Sequence, residues 1–181
     1  GYNYNTTMLS FASGSVTGLY SVGGLTGANS GNITRTYATG SVTADDRVGG
    51  LTGGSFLGGN VTNSFSTGAV TGQTSTGGSV GFAYNTIIKN VYWDEQTTGQ
   101  ATSAGNATGL TTAQMTGAAA KTNMSGFEFG TNWRSSSEEY PKLLKLSSEA
   151  PVIASTAKAN YNPTQPTTIE PTYNATGVID T

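Results

Sequence analysis

Residues 11–27 read FASGSVTGLYSVGGLTG, residues 37–53 read YATGSVTADDRVGGLTG, and residues 65–81 read FSTGAVTGQTSTGGSVG. Each stretch opens on an aromatic and places a glycine three residues on (Gly14, Gly40, Gly68) and a valine five on (Val16, Val42, Val70). A glycine pair follows (Gly23-Gly24, Gly49-Gly50, Gly77-Gly78), then a closing glycine (Gly27, Gly53, Gly81). These offsets never slip within a copy. Length varies only between the closing glycine and the next aromatic, where Ile33, Val61 and Ile88 each stand four residues before that aromatic.

A unit of 26 to 28 residues is too small to bury an apolar face alone, so recurrence at this period implies stacked repeats. The apolar residues are β-branched or aromatic and fall in short runs broken by glycine, which suits short strands joined by tight corners. A leucine-rich repeat of similar length needs several leucines at fixed spacing, and these units offer one, Leu25 or Leu51. The expected fold is all-β: a parallel, right-handed β-helix or solenoid in which each copy is one coil. Phe11, Tyr37 and Phe65 should form one stack, and Val16, Val42 and Val70 another.

The GGLTG pieces, with the following NITRTYATGSV and NVTNSFSTGAV, resemble the GLUG motif repeat. The continuation YWDEQTTGQATSAGNATGLTTAQMTG is similar to the segment that closes such arrays, so the resemblance covers about residues 1 to 146. It implies a large bacterial secreted or surface exoprotein of the filamentous-haemagglutinin, two-partner-secreted kind; some secreted immunoglobulin-A metallopeptidases carry such repeats too. The third copy departs from the pattern, with Thr76 where Val22 and Val48 stand and Ser79 where Leu25 and Leu51 stand. A local register shift bringing in Val80 and Phe82 would fill that gap.

Only 10% of the 181 residues are charged, against about 25% in ordinary domains, so solubility must come from Ser, Thr, Asn and 26 glycines. Disordered chains are poor in the periodic Val, Ile, Tyr and Phe seen here, and the pattern decides for order. The net charge is −2 and the eight basic residues do not cluster, which removes the electrostatic footprint of nucleic-acid binding. There is no cysteine for a disulfide framework, and no apolar run approaches a membrane span. Gly1 aligns with a closing glycine and GYNYNTTMLS reads as the back half of a coil, so the sequence reads as a piece of a longer polypeptide.

Residues 1–91 are therefore assigned to solenoid repeats: a partial coil over 1–10 and full copies over 11–36, 37–64 and 65–91. Asn63 and Asn90, two residues before the aromatics, suggest an asparagine ladder that Arg35 interrupts. A fourth copy begins at Tyr92 but has Glu95 where glycine is needed, so the array should end there and continue as loop to Leu110. Residues 92–146 form a terminal coil and cap. Thr111 with Gln114 makes a capping box, Leu110 and Met115 are placed as a hydrophobic staple, and a helix is expected from about 112 to 124. Phe127, Phe129, Trp133, Tyr140, Leu143, Leu144 and Leu146 supply a plug for the C-terminal end of the solenoid, whose open edge would otherwise invite aggregation. The Pro- and Thr-rich residues 147–181 read as an extended linker or tail.

The absence of histidine and cysteine removes His-based acid–base chemistry, the HExxH metallopeptidase motif and Cys or His zinc sites. No catalytic, metal or cofactor-binding residue is assigned. Asp45-Asp46 and Asp94-Glu95 are the carboxylate pairs from which a polysaccharide-cleaving β-helix would have to be built. The first reads more simply as a solvated turn and the second as the polar end of the array. The glycine pairs lack a following GK[ST], so close packing outweighs a phosphate loop. Thr34-Arg35-Thr36 and Thr62-Asn63-Ser64 resemble ice-binding threonine ladders, but Lys89-Asn90-Val91 breaks the column. Six N-x-S/T sequons, at Asn5, Asn32, Asn60, Asn106, Asn123 and Asn174, are candidates for sugar attachment in a chain whose composition yields several by chance. Tyr2, Tyr4 and Tyr20 are candidates for contacts with sugars or receptors.

Two functional classes follow. One is a structural or adhesive solenoid segment of a secreted or cell-surface exoprotein. Its partners would be the rest of its own polypeptide, surface glycans or proteins, or further copies. The corners Ala28 to Asn32, Gly54 to Asn60 and Phe82 to Thr86 would form its variable edge. The other is a polysaccharide-degrading enzyme working through its acidic residues. The first is favoured, because two isolated acidic pairs offer few ways to assemble a proton-transfer site.

Overall fold

A computed structural model describes residues 1–144. In chain order its first strands are β1 (Tyr2–Asn3), β2 (Thr6–Ala12), β3 (Val16–Thr17), β4 (Tyr20–Gly23), β5 (Thr26–Asn29), β6 (Asn32–Ala38) and β7 (Val42–Thr43). There follow β8 (Asp46–Gly49), β9 (Thr52–Phe56), β10 (Asn60–Ser66), β11 (Val70–Thr71), β12 (Thr74–Gly77), β13 (Val80–Tyr84) and β14 (Ile87–Asp94). Each coil contributes one strand to each of four parallel sheets, as a β-solenoid of about three turns requires: β2-β6-β10-β14, β3-β7-β11, β4-β8-β12 and β1-β5-β9-β13.

The register is the one the repeat spacing predicts. Phe11, Tyr37, Phe65 and Tyr92 are successive partners, as are Val16, Val42 and Val70, and Gly23, Gly49 and Gly77. Rings of Phe11, Tyr37 and Phe65 stack at centroid distances of 5.0 and 5.1 Å, nearly parallel, which is the coil-to-coil spacing.

Within each long strand one residue takes a left-handed backbone: Leu9, Arg35, Asn63 and Asn90 have φ of 49°, 53°, 48° and 53°. Side chains five positions apart in a plain strand point to opposite faces. This kink restores the phase, so that Ile33 and Ala38 share one buried cluster with Leu51, Val61, Val80, Ile88 and Val91. Tyr37 and Phe65 are turned outward by the same device and belong to a different cluster. Asn90 donates to Asn63 at 2.9 Å, a two-member asparagine ladder. A second left-handed column at Ser21, Arg47 and Ser75 marks where each coil enters the sheet of β4, β8 and β12.

That sheet packs against the one formed by β5, β9 and β13 with almost no space between them. A Cβ built on Gly23 would lie 2.5 Å from the Cα of Thr52, and one on Gly81 would lie 2.6 Å from the amide nitrogen of Val48. The glycines are thus there for close approach of two backbones, the reading preferred over a phosphate loop.

Four expectations need correction. The third copy does not shift register: Thr76 lies opposite Val48 and Val80 opposite Thr52, as in the other coils. Ser79 therefore occupies the leucine level, buried with its hydroxyl unpartnered, and the fully buried Val80 and the Trp93 ring packed over Gly78 supply the missing volume.

The terminal coil expected from Tyr92 is present, but the stretch up to Leu110 is not the loop that was expected. Helix α1 (Glu95–Thr98) replaces the glycine corner, and the chain then crosses back over the third coil. There Gly78 donates to the Thr102 carbonyl, Ala104 donates to the Val80 carbonyl, and the Ser103 hydroxyl accepts from the amides of Ser79 and Val80. β15 (Thr108–Leu110) then pairs with Tyr92, Trp93 and Asp94 at the edge of the long-strand sheet. The expected loop is a shortened fourth coil, and it is this coil that covers the end of the solenoid.

The expected helix over 112–124 is two: α2 (Thr112–Met115) and α3 (Gly117–Asn123). Thr116 is extended and Gly117 has φ of 57°, which breaks the helical path between them. The capping box between Thr111 and Gln114 is present, and Leu110 and Met115 are buried together.

Finally, the cap does not sit over the end. Its short antiparallel pair, β16 (Trp133–Arg134) and β17 (Lys142–Leu143), folds back along the flank over the outward aromatic column. Trp133 lies 5.7 Å from the Phe65 ring and 6.1 Å from Tyr37, Phe127 lies 5.6 Å from Tyr92, and Glu128 pairs with Arg35 at 3.3 Å. The outward stack is itself the cap's binding site. Phe127, Trp133 and Leu143 are buried as expected. Leu146 of the expected plug and the expected tail over 147–181 lie outside the described residues.

Candidate interaction surface

Along the sheet β1-β5-β9-β13 the two faces differ in chemistry. Inward, Asn3, Asn29 and Ser55 are register partners and form a polar ladder: Asn3 donates to Asn29 at 2.7 Å, Asn29 to Ser55 at 3.2 Å, and Ser55 meets Thr86 at 2.8 Å. The Asn29 carbonyl oxygen also accepts from the Gly31 amide, so this ladder fixes the corner that follows. The variable edge expected from Ala28 to Asn32, Gly54 to Asn60 and Phe82 to Thr86 is thereby split. Ala28, Asn29 and Ser55 are buried, whereas Leu57 and Tyr84 are exposed.

Outward, the column Tyr2, Ala28, Gly54 and Phe82 is followed by Phe56 and Tyr84, again register partners. Gly54 carries no side chain because the Phe56 ring lies over it, its Cζ 2.6 Å from where a Cβ would be. Tyr2 and Tyr4 stack at 4.2 Å, and the Tyr2 hydroxyl meets Ser30 at 2.9 Å. Phe56 and Phe82 stand 5.6 Å apart, with the Arg47 guanidinium over both at 5.7 and 5.1 Å. Arginine over an aromatic face is attracted to the ring quadrupole and keeps the rings fixed while leaving their edges open. Tyr4 is 71% and Tyr84 59% exposed, and Leu57, whose amide donates to the Tyr84 carbonyl, is exposed as well. Sequence reasoning named Tyr2 and Tyr4 as contact candidates and placed Phe56, Phe82 and Tyr84 only within the variable edge, without singling them out; the role of Arg47 it missed.

Arg47 is held in turn by Asp46 at 3.7 Å, and the Thr74 hydroxyl donates to the Asp46 carboxylate at 2.7 Å. That hydrogen bond, with the Arg47 charge as a smaller contribution, lowers the Asp46 pKa below the ordinary carboxylate value. Asp45 accepts from Gln73 at 2.9 Å. Asp46 opens a strand instead of lying in a free turn, which corrects the sequence reading.

The second acidic pair is placed differently. Asp94 is fully buried: its carboxylate accepts from the amides of Gln96 and Thr97, capping α1, and from the Tyr140 hydroxyl at 2.6 Å. Glu95 is exposed. The polar end expected at Asp94-Glu95 is thus half a latch that ties the cap to the last coil. Among the described residues no group of three or more His, Cys, Asp or Glu side chains gathers as a metal site would require, and no helix is long and apolar enough to cross a membrane. Tyr20 is exposed on β4, with Asp46 as its strand partner.

No family model matches the chain, so the resemblance to GLUG repeats rests on the residues quoted for it. No solved structure matches it either. A 57-residue stretch, 31% of the chain, is 46% identical to part of halomucin from Haloquadratum walsbyi. The match covers 1% of halomucin, so the chain spans a small fraction of the length of the curated protein it resembles.

Proposed function

We propose that this chain is a structural and adhesive segment of a long exported protein, held at a cell surface or secreted, in which the solenoid is a stiff spacer and the aromatic face of β1-β5-β9-β13 is the contact surface. The β-solenoid fold and the partial similarity to a protein many times longer fit a structural surface segment. The observation that carries the adhesive part is the row of outward Tyr2, Tyr4, Phe56, Phe82 and Tyr84 with Arg47 over two of the rings. The exposed rings of Tyr2, Tyr4 and Tyr84 suit the apolar faces of sugar rings, Arg47 holds Phe56 and Phe82 in place between them, and Ser30 beside Tyr2 adds a neutral hydrogen-bonding group. The partner class is therefore a neutral surface glycan. The GLUG resemblance adds a bacterial exoprotein setting to the same reading.

Binding of the intact chain to a panel of neutral and acidic polysaccharides tests this. The expected result is retention on a neutral glycan that is lost in Tyr4→Ala/Tyr84→Ala while the melting temperature stays within a few degrees. Retention that survives this double substitution contradicts the assignment of the face. Measured cleavage of a polysaccharide that disappears in Asp46→Asn or Glu95→Gln would replace it with the enzymatic reading.

A further inference from the structure

The sequons are not scattered over the fold. Asn32 and Asn60 are register partners at the start of β6 and β10, and the Asn32 amide donates to the Asn5 carbonyl at 2.7 Å in the coil before them. The next coil has Ile87 at the level of Asn60, and Gly105-Asn106 passes beside Ile88, lining one shallow surface hollow with Asn85 and Thr86. Four sequons thus run down a single corner of the solenoid, at Asn5, Asn32, Asn60 and Asn106. The fifth described, Asn123, lies at the end of α3 in the cap.

Their side chains are not equivalent. Asn5, Asn32 and Asn106 are exposed. Asn60 is half-buried and its amide nitrogen donates to the Asn32 carbonyl oxygen at 2.9 Å, which leaves the Asn32 nitrogen facing water. Asn123 is half-buried and its nitrogen donates to the carbonyls of Ala119 and Gln114, at 2.9 and 3.3 Å, so both of its hydrogens are used. Sugar transfer to asparagine needs that nitrogen free to attack and a hydroxyl residue two places on, which Thr7, Thr34 and Thr108 supply.

We propose that Asn5, Asn32 and Asn106 are N-glycan attachment sites along one corner of the solenoid, and that Asn60 and Asn123 are not. The donor is a lipid-linked oligosaccharide diphosphate used by a separate transferase. The asparagine nitrogen forms a bond to the anomeric carbon as the bond from that carbon to the diphosphate oxygen breaks. The lipid diphosphate leaves, and the amide proton passes to the transferase base. On a surface with so few charges, glycans here would supply hydration that side chains do not.

The full chain, folded or denatured in urea and then diluted, is offered to a purified oligosaccharyltransferase with its lipid-linked donor, and site occupancy is read by glycopeptide mass spectrometry. The folded chain should be modified at Asn5, Asn32 and Asn106 at least several-fold faster than at Asn60 and Asn123, with the difference shrinking in the denatured chain. Asn60→Gln should leave the three rates within twofold. Modification of folded Asn60 or Asn123 as fast as Asn32 overturns the proposal. So does a folded chain that stays bare at the three sites, whether or not the denatured chain is modified.

Discussion

A Cβ on Gly53 would lie 2.5 Å from the Ser21 carbonyl carbon and 2.6 Å from the Arg47 oxygen, both backbone atoms of the facing sheet that have no rotamer to retreat into. Gly53→Ala must therefore push two sheets apart, and overpacking of this kind costs about 1–3 kcal/mol or more. A urea midpoint lowered accordingly is expected; an unchanged midpoint would mean that the sheets are not in contact there. The same scale governs Tyr140. Burial, reinforced by the hydrogen bond to Asp94, raises its pKa above the ordinary tyrosine value of 10.0. The folded chain then holds the phenolic proton more tightly than the unfolded one. The contribution is complete below pH 10.0 and is lost as pH rises through the folded value. Tyr140→Phe should weaken the decline of stability above about pH 10, although Tyr37, also raised by burial, keeps part of it. Equal alkaline slopes for the two proteins would show that the latch does not exist.

The element that most changes the picture is the segment from α2 to β17. It covers an aromatic column that the solenoid turns outward, so Phe65 and Tyr92 are buried by the cap and not by the coils. Trp133→Ala removes a fully buried ring from that contact and should cost about 3–5 kcal/mol. A chain ending at Leu110 keeps the fourth coil over the end but bares the column, and sedimentation should show it associating through its flank at concentrations where the full chain is monomeric. A monomeric truncation of unchanged stability would contradict the flank-covering role. The sequence made the cap's composition legible, because clustered aromatics past the last repeat have to be buried somewhere. It did not reveal where, because the phase of the long strands depends on left-handed residues at Leu9, Arg35, Asn63 and Asn90, and only the last two are of a type that favours that backbone. Without that kink, Tyr37 and Ile33 read as one face.

At the scale of the whole molecule, the coil register was readable because each aromatic, valine and glycine pair keeps its offset, and ladders of identical positions follow from that alone. The fourth coil was readable only at its start, Tyr92, since α1 shortens it and erases the glycine that marks a copy. The contact face was half readable: Phe56, Phe82 and Tyr84 fall where copies differ in length, so no column of like residues announces them. All of this rests on equivalent residues of neighbouring coils being direct strand partners. The chain has no cysteine, which allows a clean test at the exposed Thr17, Thr43 and Thr71, one on each of β3, β7 and β11. Neighbouring coils put such Cα atoms about 4.8 Å apart, within disulfide range, and coils two apart put them at about 10 Å, outside it. Under mild oxidation Thr17→Cys/Thr43→Cys and Thr43→Cys/Thr71→Cys should each form an intramolecular disulfide in near-complete yield, whereas Thr17→Cys/Thr71→Cys should stay reduced. Failure of the two neighbouring pairs to close, or closure of the distant pair with equal ease, would contradict the solenoid register on which every other assignment depends.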